Sequence, residues 1–383
     1  MKKIAIRLIV FLFILSTLAF AFAGCAKYDE FEWSGVERGS VDLRLEVGED
    51  GKFDILQMAD IQFIGAIGED SIAVMDATIA SANPDLIVLT GDQISPEYLI
   101  GQKWKAKKIL NQITSYFDSK QIPWTAEFGN HDGALGVISK REMLEIYQKS
   151  AYFIGGLDES LNCDDYYINE EEDTYCNYFI PVYDGEEVVH GVMLLDCASC
   201  LLGPYDGYTK GQIDFYNEMS ENYDVEFSIY THEPTEEFQT MYDNREDKEI
   251  VPVFLGEIES PEDGKSYYPT KNPETNEYLR ESMIANKNVK GVYAGHDHLS
   301  NFAGIYNMGE DCSVILAYGR MSSYGYGEWK YFMFSGKKRK LYKNYARGGR
   351  VVSLTKEGGY STFELADSKD GKYTMDILNL LEF

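Results

Sequence analysis

Five times along this chain a short apolar run stops at a glycine or at a side chain that binds metals. Phe53 to Met58 runs into Asp60-Ile61-Gln62, and Asp85 to Thr90 into Gly91-Asp92. Pro123 to Phe128 runs into Gly129-Asn130-His131-Asp132, Val225 to Tyr230 into Thr231-His232, and Val289 to Tyr293 into Gly295-His296-Asp297-His298. Helical spacing fills several intervals: residues 70–82, where Ile72, Val74, Met75 and Ile79 fall on one face, then 103–117, 211–219 and 276–284. Strands alternating with helices of this length imply βαβ units and a largely parallel first sheet. In such a sheet, sites assemble beyond the carboxyl ends of the strands, so residues remote in sequence can converge there.

The middle of the chain has a different pattern. Residues 175–180 and 188–195 read as adjacent strands joined by a turn at Asp184-Gly185, and 256–275, rich in Glu, Pro, Asp and Gly, as a long surface loop. Further strands are expected at 312–318, 349–354 and 373–378. No internal repeat or low-complexity linker interrupts the pattern. One domain is expected over 46–383, its C-terminal part a β extension.

The chain has 5 histidines, and His131, His232, His296 and His298 all lie in the strand-end motifs; His190 lies outside them. Two aspartates, one asparagine and three histidines suit a binuclear metal centre, in which a shared carboxylate holds two cations roughly 3.5–4 Å apart. The remaining histidine is then free to serve a leaving group as acid or hydrogen-bond donor. Taken singly the pieces are weaker. A Gly-Asp after a strand is commonly only a turn, and His232 alone would pass for a satisfied core histidine.

The ordered set of motifs resembles the calcineurin-like metallophosphoesterase superfamily. The Gly-Asn-His-Asp and Gly-His-Asp-His pair carries most of the likeness, which spans Asp60 to His298. Tyr208-Thr209-Lys210-Gly211-Gln212, Asn301, Tyr324-Gly325-Tyr326-Gly327 and Arg347-Gly348-Gly349-Arg350-Val351 are similar to a branch containing plant purple-acid-phosphatase-29-like proteins and related yeast phosphatases. The resemblance implies an α/β fold: a four-layer αββα sandwich of two mixed β-sheets, with the metals at one edge. It implies that Asp92 bridges two divalent or trivalent transition-metal ions (Mn, Fe or Zn). Asp60, Gln62 and His298 would hold the first ion; Asn130, His232 and His296 the second. His131 would be the catalytic acid, oriented by Asp132, and a metal-bridged hydroxide would attack the phosphate ester. Gln62 stands where the family usually has histidine; a neutral carboxamide is the weaker ligand, so the first ion should bind less tightly. Ser95 replaces the tyrosine of true purple acid phosphatases, so no tyrosinate ligand is expected. A catalytically weak or inactive metal-binding lipoprotein, acting as a binding or adhesion module, is the alternative.

The N-terminus bears on location. Lys2, Lys3 and Arg7 precede an uncharged apolar run from Leu8 to Phe22, and Ala23-Gly24-Cys25 follows. This is the pattern of a secretory signal, and the cysteine after Ala-Gly resembles a bacterial lipobox. A lipoprotein signal peptide at 1–24, lipid on Cys25, a tether at 25–45 and a lipid anchor at the outer face of the cytoplasmic membrane are expected. Without the three basic signal residues, 32 basic residues face 63 acidic ones, a net charge of −31. That balance argues against nucleic acid as a partner; a small phosphorylated substrate is what the resemblance implies. Cys163, Cys176, Cys197, Cys200 and Cys312 are read as structural, the Cys197/Cys200 pair lacking a thioredoxin-like context. Lys337-Lys338-Arg339-Lys340 reads as a solvated hairpin tip. Arg320, Arg347 and Arg350 suit either phosphate contact or structural ion pairs.

Overall fold

A computed structural model describes residues 35–156, 161, 168–169, 174–197, 208–258, 273–325, 345–367 and 374–382. The signal segment, Cys25, Cys163, Cys200, Tyr326-Gly327, the 337–340 basic run and most of the 256–275 loop lie outside these residues. The strands in chain order are β1 (Leu45–Glu46), β2 (Lys52–Ala59), β3 (Leu86–Thr90), β4 (Trp124–Glu127), β5 (Ile168–Asn169), β6 (Thr174–Tyr175), β7 (Tyr178–Asp184), β8 (Glu187–Leu195), β9 (Glu226–Thr231), β10 (Val253–Leu255), β11 (Val289–Ala294), β12 (Ala303–Gly309), β13 (Cys312–Tyr318), β14 (Gly348–Thr355), β15 (Tyr360–Asp367) and β16 (Met375–Glu382). The helices are α1 (Glu69–Ala82), α2 (Lys103–Lys120), α3 (Lys140–Tyr147), α4 (Lys210–Asn222), α5 (Glu236–Asp243) and α6 (Pro273–Asn286).

Among the described residues, one sheet has six strands in the order β16-β15-β14-β2-β3-β4 and another eight in the order β1-β7-β8-β9-β11-β13-β12-β10. Both are mixed: β2, β3 and β4 run parallel, as do β8, β9, β11 and β13, while β14, β15 and β16 pair antiparallel. The parallel strands are buried on both faces, which is why Leu86-Ile87-Val88-Leu89 is continuously apolar rather than alternating. Helix α1 covers the six-stranded sheet over β2 and β14 to β16. Helices α4, α5 and α6 pack Ile213, Tyr216, Phe238, Met241, Leu279 and Met283 onto the eight-stranded sheet. Helix-side residues outside and two sheets inside make the expected αββα sandwich.

Buried polar groups tie the two sheets together. Arg350 on β14 donates from Nε to the Tyr318 carbonyl (2.7 Å) and from Nη2 to the Asn301 carbonyl (3.3 Å), and Arg320 pairs with Glu364. Arg347 donates to the Ser323 carbonyl at 2.8 Å. All three arginines therefore hold backbone or β15 in place. His190 meets Tyr360 Oη at 2.8 Å and Ser228 Oγ at 3.0 Å, linking β8, β9 and β15. Burial pushes its pKa down to about 3, so the ring is a neutral core histidine.

Part of the interval read as a tether packs on the domain. Arg38 donates to the carbonyls of Ser150, Phe153 and Gly155, and Leu45 pairs with Val182 at the sheet edge. Cys176, Cys197 and Cys312 are buried free thiols. Burial raises the pKa of each, which keeps them unreactive.

Candidate metal centre

The strand ends deliver their side chains into one place because the backbone turns sharply just beyond them. Asp60 (φ 53°), Gln62 (φ 39°), Asp92 (φ 52°) and His296 (φ 70°) all lie in the left-handed region. Each such non-glycine residue costs about 1–3 kcal/mol and persists where the surroundings over-determine it. The glycines beside them leave no room for a side chain. A Cβ on Gly91 would lie 2.4 Å from His232 Nδ1, and one on Gly129 would lie 2.1 Å from Asp92 Oδ1.

Three of the motif atoms form a tight triangle. His232 Nε2 is 3.0 Å from Asn130 Oδ1, His296 Nδ1 is 3.2 Å from the same oxygen, and the two ring nitrogens are 3.2 Å apart. His232 Nδ1 faces the Thr90 carbonyl at 3.1 Å. That carbonyl accepts a hydrogen bond from Nδ1–H, which would leave Nε2 as the ligand atom toward the triangle when a cation is held there. Three donor atoms at these separations fit around one cation. Asp92 Oδ1 joins them at 3.4 Å from His232 Nε2.

A second group adjoins the first through Asp92. Asp60, Asp92 and His298 each offer one ligand atom, all within 4.8 Å of one another. His298 Nε2 is 3.2 Å from Asp60 Oδ1, a buried oxygen with no hydrogen-bond partner. Its other oxygen accepts from the His296 backbone N–H at 3.0 Å. An orphaned buried carboxylate oxygen is expensive unless a cation takes it, so the donor set fits two ions sharing Asp92. Gln62 lies in this group in an unforeseen orientation: Nε2 donates to Asp92 Oδ2 at 2.9 Å, while the buried Oε1 has no partner. The amide thus steadies the shared carboxylate as well as presenting an oxygen.

His131 sits over the shared carboxylate. Its backbone N–H donates to Asp92 Oδ1 at 2.9 Å, and ring Nε2 is 3.8 Å from Asp92 Oδ2. The ring is 20% exposed, so its outer edge meets solvent. Glu97, which nothing in the motifs singled out, holds the ring from behind, with Oε2 3.1 Å from Nδ1. Burial alone would lower the His131 pKa, but Asp92 and Glu97 outweigh it and push it up to about 9. Glu97 is a carboxylate on the ring, while Asp132 gathers the backbone N–H groups of Gln93, Ile94 and Gly129 at 3.0–3.3 Å. It positions His131 by fixing the two loops.

The remaining charges follow from the same crowding. Burial works to raise the Asp92 pKa, yet His232 and His131 hold it well below the usual carboxylate range. Burial and Asp92 raise Asp132 to about 7. Burial and the neighbouring His232 keep His296 well below the usual imidazole value.

Supports arrive from behind the strands. Tyr208 Oη donates to Thr231 Oγ1 (3.1 Å) and the Glu233 carbonyl (3.0 Å), bracketing His232. Thr209 and Gln212 form a capping box that starts α4, and Gln212 also reaches Asn177 and the Asp196 carbonyl. Gln57 donates to both Thr90 Oγ1 and the Ala294 carbonyl at 3.0 Å, locking together the strand ends that carry Asp92 and His296.

The calcineurin-like phosphoesterase family matches residues 53–300. The chain is 25% identical over 337 residues to a protein of Arabidopsis thaliana named probable inactive purple acid phosphatase 29, covering 75% of this chain and 77% of that one. It is 23% identical over 329 residues to probable inactive purple acid phosphatase 14 of the same plant, covering 74% of each. A dimetal phosphatase from Danio rerio superposes over 86% of this chain and 98% of its own, with a TM-score of 0.51 at 12% identity, a likeness of fold. The match spans well over half of the sequence and contains every residue of the metal centre, so the chain belongs to the calcineurin-like phosphoesterase family.

Proposed function

We infer that this protein is a metal-dependent hydrolase of phosphate esters. The observation that carries the reading is the Asn130, His232 and His296 triangle sharing Asp92 with Asp60 and His298, while the His131–Glu97 pair stands beside Asp92. The mixed imidazole, carboxamide and carboxylate set suits Mn, Fe or Zn. Such ions, when bound, lower the pKa of water and neutralise phosphate charge. The chain's own part is proton delivery. Protonated His131 donates the Nε2 proton to the departing ester oxygen, Glu97 holds Nδ1 and stabilises the cation, and the exposed ring edge recovers a proton from solvent.

The plant relatives carry "inactive" in their names, which is said of those proteins. What supports activity here is that every ligand position other than Gln62 holds a competent donor. A binding module is the second reading, favoured by the Gln62 amide lying on Asp92 where the family usually has histidine. A small phosphorylated substrate belongs to the hydrolase proposal, its negative charge met at the site by the bound ions. Lipid anchoring through Cys25 at the outer face of the cytoplasmic membrane belongs to the same proposal and rests on the N-terminal sequence. Among the described residues, no helix is long and apolar enough to cross a membrane.

Turnover of an aryl phosphate with added Mn(II) tests the reading. His131→Ala should lower kcat by about 10²–10⁴-fold with metal content unchanged. No turnover by the unaltered protein with Mn, Fe or Zn, and fewer than two ions bound, would decide for the binding module.

A further inference from the structure

Among the described residues, the large hydrophobic side chains that stand exposed fall in two groups, and one group borders the catalytic histidine. Ile100 (45% exposed) and Leu135 (50%) lie on the two loops that carry Glu97 and His131, and Trp104 (69%) lies in the first turn of α2; Ile377, Leu378 and Leu380 lie on the edge strand β16. The short turns Pro96–Tyr98 and Ala134–Gly136 pack against each other, so Ile100 and Leu135 flank the same side of the site. Leu135 is held out on a backbone with φ 57°, a conformation that disfavours leucine.

The charge around this rim runs against the rest of the molecule. In a chain of net charge −28, Lys103, Lys105, Lys107 and Lys108 crowd into six residues around Trp104. They open α2, whose first turn contains no acid. Positive charge at a helix N-terminus is disfavoured by the backbone dipole, so helix stability does not account for them. Glu142 pairs with Lys103 (2.7 Å) and Lys107 (2.9 Å), which leaves Lys105 and Lys108 without an ion-pair partner among the described residues. Trp104 and Lys108 lie one turn apart on the same flank.

An exposed tryptophan near aliphatic tips, with exposed Lys108 and half-buried Lys105 on the same helix, matches the water–lipid interface, where indole sits at headgroup depth and lysine stems reach anionic headgroups. We propose that Ile100, Trp104 and Leu135, with Lys105 and Lys108, dock on an anionic lipid surface and turn the His131 side of the site toward phosphate esters carried in it. The docking stands on the rim alone; only its consequence for substrate rests on the phosphoesterase reading.

The test uses the full chain reconstituted into vesicles containing brominated acyl chains, so that any N-terminal tether is the same throughout. The Trp104 share of the fluorescence is the difference between the unaltered protein and Trp104→Phe. In vesicles rich in phosphatidylglycerol this share should fall by about twofold, and Lys105→Glu with Lys108→Glu should restore it. Ile377→Ser with Leu380→Ser on β16 should leave it quenched. No quenching in anionic vesicles, or equal quenching in purely phosphatidylcholine vesicles, would overturn the proposal. Aryl phosphate turnover in solution is read separately: turnover without quenching sinks the docking and spares the hydrolase, and quenching without turnover does the reverse.

Discussion

The two groups of side chains proposed to hold ions offer equal numbers of ligands but are built to different standards. Around the second, Asn130, His232 and His296 present their donor atoms 3.0–3.2 Å apart, and the His232 side chain is fully buried with its tautomer set by Thr90. Around the first, the His298 side chain is 14% exposed, and the Gln62 amide nitrogen is turned toward Asp92. A buried, pre-oriented imidazole outbids an amide for a transition metal. The protein should therefore hold its second ion firmly and its first loosely.

The largest expected effect breaks the firm position. His232→Ala should weaken the second ion by at least about 100-fold, since even the partners behind a ligand are worth 10–100-fold. Elemental analysis after dialysis should find one ion or none, with aryl phosphate turnover lost. If the variant retains two ions, the triangle is not a ligand set. Next, Gln62→His should tighten the first ion by about 10-fold, read from competition with a chelator. Unchanged affinity would mean that Gln62 serves Asp92 alone. The smallest effect separates metal from proton. Glu97→Gln touches neither position, so two ions should remain. It removes the charge that helps raise the His131 pKa toward about 9. The protonated donor is then lost at lower pH, and the alkaline limb of kcat should move down by about one pH unit. An unmoved limb with reduced kcat would show that Glu97 only packs.

The parallel strands and long helices were legible because each is a continuous apolar run or a clean 3.6-residue stripe, as in Leu86–Thr90 and the Ala106, Ile109, Leu110, Ile113 face of α2. Helices α3 and α5 and strands β10, β12 and β15 were not. The two helices span eight residues each, too short for periodicity to register, although Ser139 and Glu142 form a capping box before α3. Strand β15 mixes Ser, Thr and Glu with its apolar residues and becomes a strand by pairing with β14 and β16. Glu97 had only a faint signal, an acid in a loop five residues past Asp92.

By itself the sequence determined which donors arrive at which strand ends, because a metal site needs particular atoms and those atoms come only with particular residues. The tertiary structure alone decided which neighbour each donor meets: Glu97 on His131, Asp132 on the loop backbone, the Gln62 amide on Asp92, and the arginines on carbonyls instead of a substrate. Most of those contacts join residues tens of positions apart. Local periodicity and spacing carry no record of such pairs; the parallel pairing of β2, β3 and β4 brings the loop contacts within reach, and the packing of the two sheets brings the arginine contacts.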